Sequence, residues 1–500
     1  VSTAPTTDPA APQPAYPEHP DWSLPQRIAL AAAVVGLAVF AIVGGINLAA
    51  ADTAQKDAAK AEFFISWTVG FVFWLSLPIG SMALLFIHYL AKTSWGLLLK
   101  KLFEAAIRTL PLFVVLFIPI AIAACLGPGL SPFWWANPDE TMITDEMRED
   151  HKKFEEHQEQ EKRYAESGGN PALQPQRLDS KVGSHEMQYR AIKHELEERE
   201  HGTFGYLTTA GFLVVGAVHF LIWGLLIYFL NKWGREADDN PANVEATMEK
   251  GKNLGGPGLI IYAIVGTSAA SQWVMSFEPS WASTMFPVVY SVNQLLCALA
   301  FGVAVFMTLV LSGPPIYAKL IRLKFKIDMG SLMLALTLFW SYTSFSQMML
   351  VWIGNLPEEI PYFLRRSGSG WWWVSAFLIF FHFMFPFIVL LFRDVKGHPW
   401  RLRAMAIYVL VVCAVDVVWW IEPSARHDGQ PLFWVMDVGA IVGIGGLFGL
   451  YYVYQLKQRR LLAFNELYML PEDHGNGHDN HANNAQAHAT AHEGASHEHH

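Results

Sequence analysis

Cysteine is scarce in this sequence: three in 500 residues, Cys125, Cys297 and Cys413, each alone in an apolar run. No CxxC, CxxCH or four-cysteine cluster occurs, which excludes the usual ligand sets for iron–sulfur clusters and attachment sites for c-type haem. Cysteines so placed act as small buried hydrophobes. Charge is short as well. Asp, Glu, Lys and Arg make up 16% of the chain, and no strongly basic face offers itself to nucleic acid. The opening stretch, VSTAPTTDPAAPQPAYPEHPDW, lacks a basic n-region and reads as an extended tail rather than a signal peptide.

Apolar residues fill the space that charge leaves. They make up 52% of the chain, with 19 Trp and 33 Phe. Runs near 20 residues long can each cross a bilayer. Ten such runs are read here: 28–50, 63–90, 110–127, 204–230, 256–278, 286–312, 329–354, 370–392, 402–421 and 433–456. The expected fold is therefore all-α and polytopic, with ten transmembrane helices. Residues 1–27 form an N-terminal tail, 28–127 the first three spans, 128–203 an acidic insertion, 204–456 the remaining seven spans, and 457–500 a C-terminal tail.

The loops set an orientation. Lys and Arg recur in alternate connections: Lys92, Lys100, Lys101 and Arg108, then Lys232, Arg235, Lys250 and Lys252, then Lys319, Arg322, Lys324 and Lys326, then Arg393, Lys396, Arg401 and Arg403. Intervening short loops carry few. The positive-inside rule then puts both termini in the cytoplasm. The acidic insertion falls on the outer face, where 17 acidic residues between Asp139 and Glu200 meet 10 basic ones. Its two helix-like halves are split by SGGNPALQP. It reads as a docking arm for partner subunits or as an acidic patch that steers a basic electron carrier. Eight histidines lie beyond Pro471 in a low-complexity tail without fixed metal geometry.

Ionisable groups inside spans are costly and mark candidate sites. His219 in VVGAVHFLIWG and His382 in FLIFFHFMFPF sit near the middle of theirs, and Asp416 in VVCAVDVVWWIEP lies two turns from a helix end. Each imidazole is either a neutral hydrogen-bonded core group or a proton-transfer or quinone-bonding group. Tyr262 on the fifth span and Tyr342, Ser344 and Gln347 on the seventh add polar atoms that either pack helices or wet a path. Glu278 and Glu422 each precede a proline at a helix C-terminus, where the macrodipole disfavours a carboxylate. Glu278 thus requires outer water or a partner cation. Glu358 and Glu359 instead open a short helix, the favourable end. Glu104 takes Lys100 and Arg108 as i,i+4 partners on an interfacial amphipathic helix, and His88 lies near the headgroups.

Three stretches, WVMSFEPSWASTMF, WSYTSFSQMMLVWIGNLPEEIPYFLRR and FWLSLPIGSMALLFIHYL, resemble the ActF-type membrane subunits of bacterial alternative complex III, within the wider NrfD/PsrC-like family. The resemblance runs from Phe63 to Tyr454. It implies two four-helix bundles plus two extra helices. It also implies a quinol:electron-acceptor (cytochrome c) oxidoreductase complex, in which haem c and iron–sulfur clusters reside in partner subunits. The implied partners are an NrfD-like sister subunit, a multihaem cytochrome c and an iron–sulfur subunit, with membrane lipid around them. Such a chain anchors the outer redox subunits and takes part in proton conduction, with Glu278, Asp416, His219 and His382 as the proton-active or hydrogen-bonding residues. The family leaves open whether the chain itself binds quinone, and none of these residues is a metal ligand in this reading. The acidic insertion and the His-rich tail depart from the family pattern. Two other readings stand beside it: a quinol-binding anchor of a molybdenum or iron–sulfur oxidoreductase, and a stand-alone secondary transporter. The latter normally shows repeated halves with broken helices, and Pro78, Pro119 and Pro386 form no repeated pair.

Overall fold

The computed structural model describes residues 20–50, 56–126, 131–136, 140–171, 174–176, 206–279, 281–356, 359–367, 370–425 and 433–463, with scattered positions between 182 and 197. The extreme N-terminal tail, the His-rich tail and Glu358 lie outside the described residues. All regular structure among them is helical. The principal helices are α1 (Ser23–Ala50), α2 (Lys56–Ala91), α3 (Ser94–Ile107), α4 (Leu110–Leu116), α5 (Ile118–Cys125), α6 (Asp145–Glu166), α7 (Thr209–Asp239), α8 (Val244–Trp273) and α9 (Phe286–Ser312). They continue as α10 (Pro315–Leu320), α11 (Leu323–Gly354), α12 (Ile360–Ser367), α13 (Trp371–Phe377), α14 (Phe385–Leu391), α15 (Arg393–Gly397), α16 (Pro399–Ala425) and α17 (Phe433–Lys457).

Nine helical segments among the described residues are long and apolar enough to cross a membrane. The chain is a polytopic helical membrane protein. The one expected span outside that set is α11. Its 32 residues are ample at 1.5 Å each, but the run Trp340–Gln347 is rich in hydroxyls and dilutes its apolarity. The helix ends at Asn355, whose left-handed backbone (φ 49°) lets its N–H return to the Val351 carbonyl.

Close helix crossings depend on missing side chains. α1 lies along α17 with Gly36 against Gly443, where an added Cβ would come within 2.2 Å of the Gly443 nitrogen. At Gly446 the corresponding distance to the Ala33 nitrogen is 2.1 Å. A stripe of small residues in lipid allows such backbone contact. Gly80 does the same between α2 and α9, 2.1 Å from the Gln294 carbonyl oxygen. α2 is thereby held at the centre, packed on α3, α8, α9 and α17.

One expectation changes here. α3 is not interfacial: Lys100, Lys101 and Glu104 are 1–3% exposed and lie inside the helical body. Apolar neighbours alone could not hold them there. Lys101 Nζ donates to Glu104 at 3.0 Å and to Asp238 of α7 at 2.8 Å. Gly234 makes the room, since a Cβ there would sit 2.8 Å from Glu104 Oε1. His88 is likewise buried, with Nδ1 3.1 Å from Thr93 Oγ1.

The acidic insertion pairs two helical stretches. α6 opens at Thr144, whose side chain accepts from the Met147 N–H, and closes before Gly168 and Gly169 (φ 71° and 83°). Asp150 and His151 of α6 meet His185 and Glu186 at 2.7 and 2.6 Å. The Asp150 carboxyl is held below its ordinary range, first by the His185 hydrogen bond and then by Lys153.

Candidate functional site

The site forms where α9, α11, the α13–α14 segment and α16 meet. α13 and α14 are joined by a π-helical turn, Leu378–Met384, in which the Phe385 N–H reaches back five residues to the Phe380 carbonyl. Pro386 follows and cannot donate, so the widened turn sits one residue before a missing hydrogen bond. This turn carries His382.

The His382 ring stacks on Trp340 of α11, with centroids 3.8 Å apart and planes 25° apart. Trp340 Nε1 donates to Asp416 Oδ2 at 2.8 Å, and Asn293 Nδ2 of α9 donates to the same oxygen at 2.8 Å. His382 Nδ1 lies 3.9 Å from that oxygen, and its Nε2 lies 3.8 Å from Cys413 Sγ. Cys297 donates to Asn293 Oδ1 at 3.1 Å. Four helices thus converge on one buried carboxyl, and two neutral donors, not a cation, fix it. Such an arrangement holds a group that can exchange a proton without losing its frame.

A second cluster lies further along α16. Cys413, Asp416, Trp420 and Ser424 follow one another at helical spacing on one face. Ser424 stands two turns, about 12 Å, beyond Asp416. Its hydroxyl donates to Glu278 Oε2 at 3.0 Å, and Arg365 Nη1 lies 3.5 Å from Glu278 Oε1. Arg366 is 1% exposed. Its guanidinium donates to the Tyr362 carbonyl (2.8 Å), the Trp419 carbonyl (3.2 Å), the Trp420 carbonyl (2.7 Å) and Ser424 Oγ (3.0 Å). Pro423 explains the second of these. Lacking an N–H, it leaves the Trp419 carbonyl four residues earlier unclaimed by the helix, and Arg366 takes it. The guanidinium carbon also lies 3.4 Å from the Tyr362 ring centroid, and Tyr362 stacks on Trp281 at 3.6 Å and 8°.

This answers what holds Glu278. α8 ends at Trp273, a 3-10 turn Met275–Phe277 follows, and Glu278 leaves helical geometry before Pro279. Its counter-charge comes from the same chain, through Arg365 directly and Arg366 by way of Ser424. Glu422, expected at a helix end, lies within the last turn of α16, which continues through Pro423 to Ala425.

The other expected residues scatter. Tyr262 is buried and donates to Gln294 Oε1 at 2.9 Å, one residue from Asn293. Gln347 and Ser344 lie on or near the packed side of α11, while Tyr342 is 67% exposed on the opposite side and takes no part. Neighbouring hydroxyls on the same helices bond their own backbone: Thr267 to Ala263 O, Ser271 to Thr267 O and Thr343 to Phe339 O. His219 lies apart, beside Trp223 and Trp273.

Sequence reasoning passed over several members. Asn293 and Asp437 are polar residues within apolar runs and carried a usable signal; Asp437 forms a short hydrogen bond with Ser66. Arg366 counted only as a loop charge. Trp340 gave no signal beyond its aromatic ring. No protein-family model matches the chain, and none of the curated proteins compared with it is detectably similar.

Proposed function

We propose that the chain is the integral membrane subunit of a quinol:electron-acceptor oxidoreductase complex of the alternative complex III kind. In this reading α11 is a tenth span, the helices form two four-helix bundles flanked by α1 and α17, and both termini are cytoplasmic in a bacterial inner membrane. The subunit anchors outer haem c and iron–sulfur subunits beside an NrfD-like sister subunit. The alternating Lys and Arg loops support the orientation.

One observation carries the reading. The two long motifs that bear the family resemblance, about Glu278 and about Arg366, are some 80 residues apart in sequence. In the fold they make one site: Trp281 stacks on Tyr362, and Arg365 pairs with Glu278. A buried carboxylate paired with a half-buried arginine on the face proposed to dock the redox subunits supports a role in coupling those subunits to the membrane. Asp416, framed by Trp340, Asn293 and His382, is the inner proton carrier, and Glu278 is the outer release group. Arg365 beside Glu278, and Arg366 by way of Ser424, place positive charge at the outer end of this path.

The test is proton output per electron from the purified complex in sealed vesicles, driven by quinol. Asp416→Asn and Glu278→Gln should each lower the ratio while leaving haem content unchanged. Unchanged ratios in both variants would remove proton conduction from the proposal.

A further inference from the structure

A short pattern occurs twice along the chain. Glu278-Pro279-Ser280 follows α8, and Glu422-Pro423-Ser424 closes α16. On the preceding long helix of each half a His-Phe pair recurs: His219-Phe220 in α7, His382-Phe383 in the π-helical turn. Aligning the Glu-Pro-Ser triplets places Gln272 where Asp416 stands, six residues before the glutamate in both cases. The two halves therefore carry the same constellation, once with a carboxyl and once with an amide.

The environments differ further. Asp416 has its two donors, although His382 Nδ1 lacks a hydrogen-bond partner among the described residues, whereas every polar side-chain atom of the first copy is unsatisfied. His219 is 2% exposed, 5.3 Å from the Trp273 ring and 5.8 Å from the Trp223 ring. Both of its nitrogens, both amide atoms of Gln272, and the indole nitrogens of Trp223 and Trp273 have no hydrogen-bond partner among the described residues. These six atoms belong to four fully buried side chains. Buried polar atoms are nearly always paired, so His219 and the two indoles packed on it mark a place where something polar binds, and the alignment puts Gln272 beside them as Asp416 stands beside His382.

The size and charge of the occupant follow. Trp223 and Trp273 are 5.8 Å apart, and Phe220 is 5.9 Å from each. Rings in direct contact lie about 4.5–7 Å apart, so no slot remains between these for another ring. With an amide in the carboxyl's place, no acidic residue of the constellation is left to hold a cation. A water molecule suits both limits, being a donor and an acceptor that takes about 2–4 partners.

We propose that His219, Gln272, Trp223 and Trp273 bind ordered water, one molecule at the least, forming an uncharged copy of the His382–Asp416 site. The first half is hydrated inside but stores no proton at position 272. The second half, with Asp416, does the storing. The water site stands on its own geometry and is independent of the oxidoreductase assignment.

Radiolytic footprinting of the full chain in detergent and ¹⁸O-water tests this, because hydroxyl radicals formed from bound water label the side chains beside it. Trp135 is the internal control: equally buried, but with its indole N–H donated to the Ser276 carbonyl at 2.8 Å. Trp223 and Trp273 should gain ¹⁸O severalfold faster than Trp135 if water is held against them. Gln272→Leu combined with His219→Leu should bring them down to the control rate, and Gln272→Asn alone should retain the fast labelling. Labelling of Trp223 and Trp273 at the Trp135 rate in the unaltered chain would overturn the proposal, whatever the variants do. So would an organic molecule, such as a quinone, extracted at one per chain whose removal switches the labelling on.

Discussion

Arg366 offers the sharpest contrast within the Glu278 cluster, because Arg365 beside it is chemically identical but differently placed. Replacing Arg366 by Gln removes the donors to three buried carbonyls, those of Tyr362, Trp419 and Trp420, and to Ser424. The Tyr362 and Trp420 carbonyls keep the N–H four residues on in their own helices, so the Trp419 carbonyl is the acceptor left bare. A buried acceptor without a partner costs about 1–3 kcal/mol, which is the loss expected. Pro423 makes this loss hard to recover, since no helical N–H can take over the Trp419 carbonyl. Arg365→Gln should cost far less. Arg365 is about one-fifth exposed and lies 3.5 Å from Glu278, and Glu278 keeps the Ser424 hydroxyl when Arg365 is gone. Thermal unfolding of the purified chain in one mild detergent, followed by tryptophan fluorescence, compares the two directly. The reasoning fails if the two variants unfold at the same midpoint.

Three further outcomes follow from other parts of the fold. Lys101→Ala removes the ammonium that Glu104 and Asp238 share and should destabilise by about 3–5 kcal/mol, whereas Lys101→Met with Glu104→Met and Asp238→Asn should recover most of the loss in the same unfolding assay. Gly443→Leu drives a side chain into α1, where Leu37 already lies 2.9 Å from the ideal Cβ position. It should cost about 1–3 kcal/mol and speed amide exchange in α1 while leaving α2 unchanged. In the acidic insertion the Asp150 carboxyl is lowered in the folded chain, so its contribution is full above the unfolded value, about pH 4, and disappears as pH falls through the lowered one. An acid-active protease should therefore cut near Gly168 increasingly as pH drops below about 4, and Asp150→Asn should flatten that dependence.

The spans were legible because twenty apolar residues in a row have few other uses, and orientation of the chain was inferred from loop charge alone. The number ten rests on α11, where a polar run blurs the same signal. His382, Asp416 and Glu278 stood out as ionisable groups in expensive places. Their partners did not, because contacts such as Trp340–Asp416 and Ser424–Glu278 span 76 and 146 residues and depend on how helices meet. Arg366 was misjudged since a loop charge is ordinarily solvated; it is buried because a proline 57 positions later frees a carbonyl for it. Tyr342 could not be placed without knowing the helical face. Trp340, Thr343 and Gln347 share the packed side of α11, and Tyr342 points away from it. Glu104 followed an i,i+4 pattern typical of surfaces, and only the glycine opposite it on α7 shows why it lies inside.

The central claim is that this chain works within a quinol-oxidising assembly. Gentle detergent purification of the chain from native membranes, followed by a reduced-minus-oxidised absorbance spectrum, tests it most directly. The account predicts c-type haem bands that co-elute with the chain at constant ratio, and since the sequence holds no CxxCH motif those bands must come from a bound partner. A colourless chain that elutes alone in several mild detergents would contradict it.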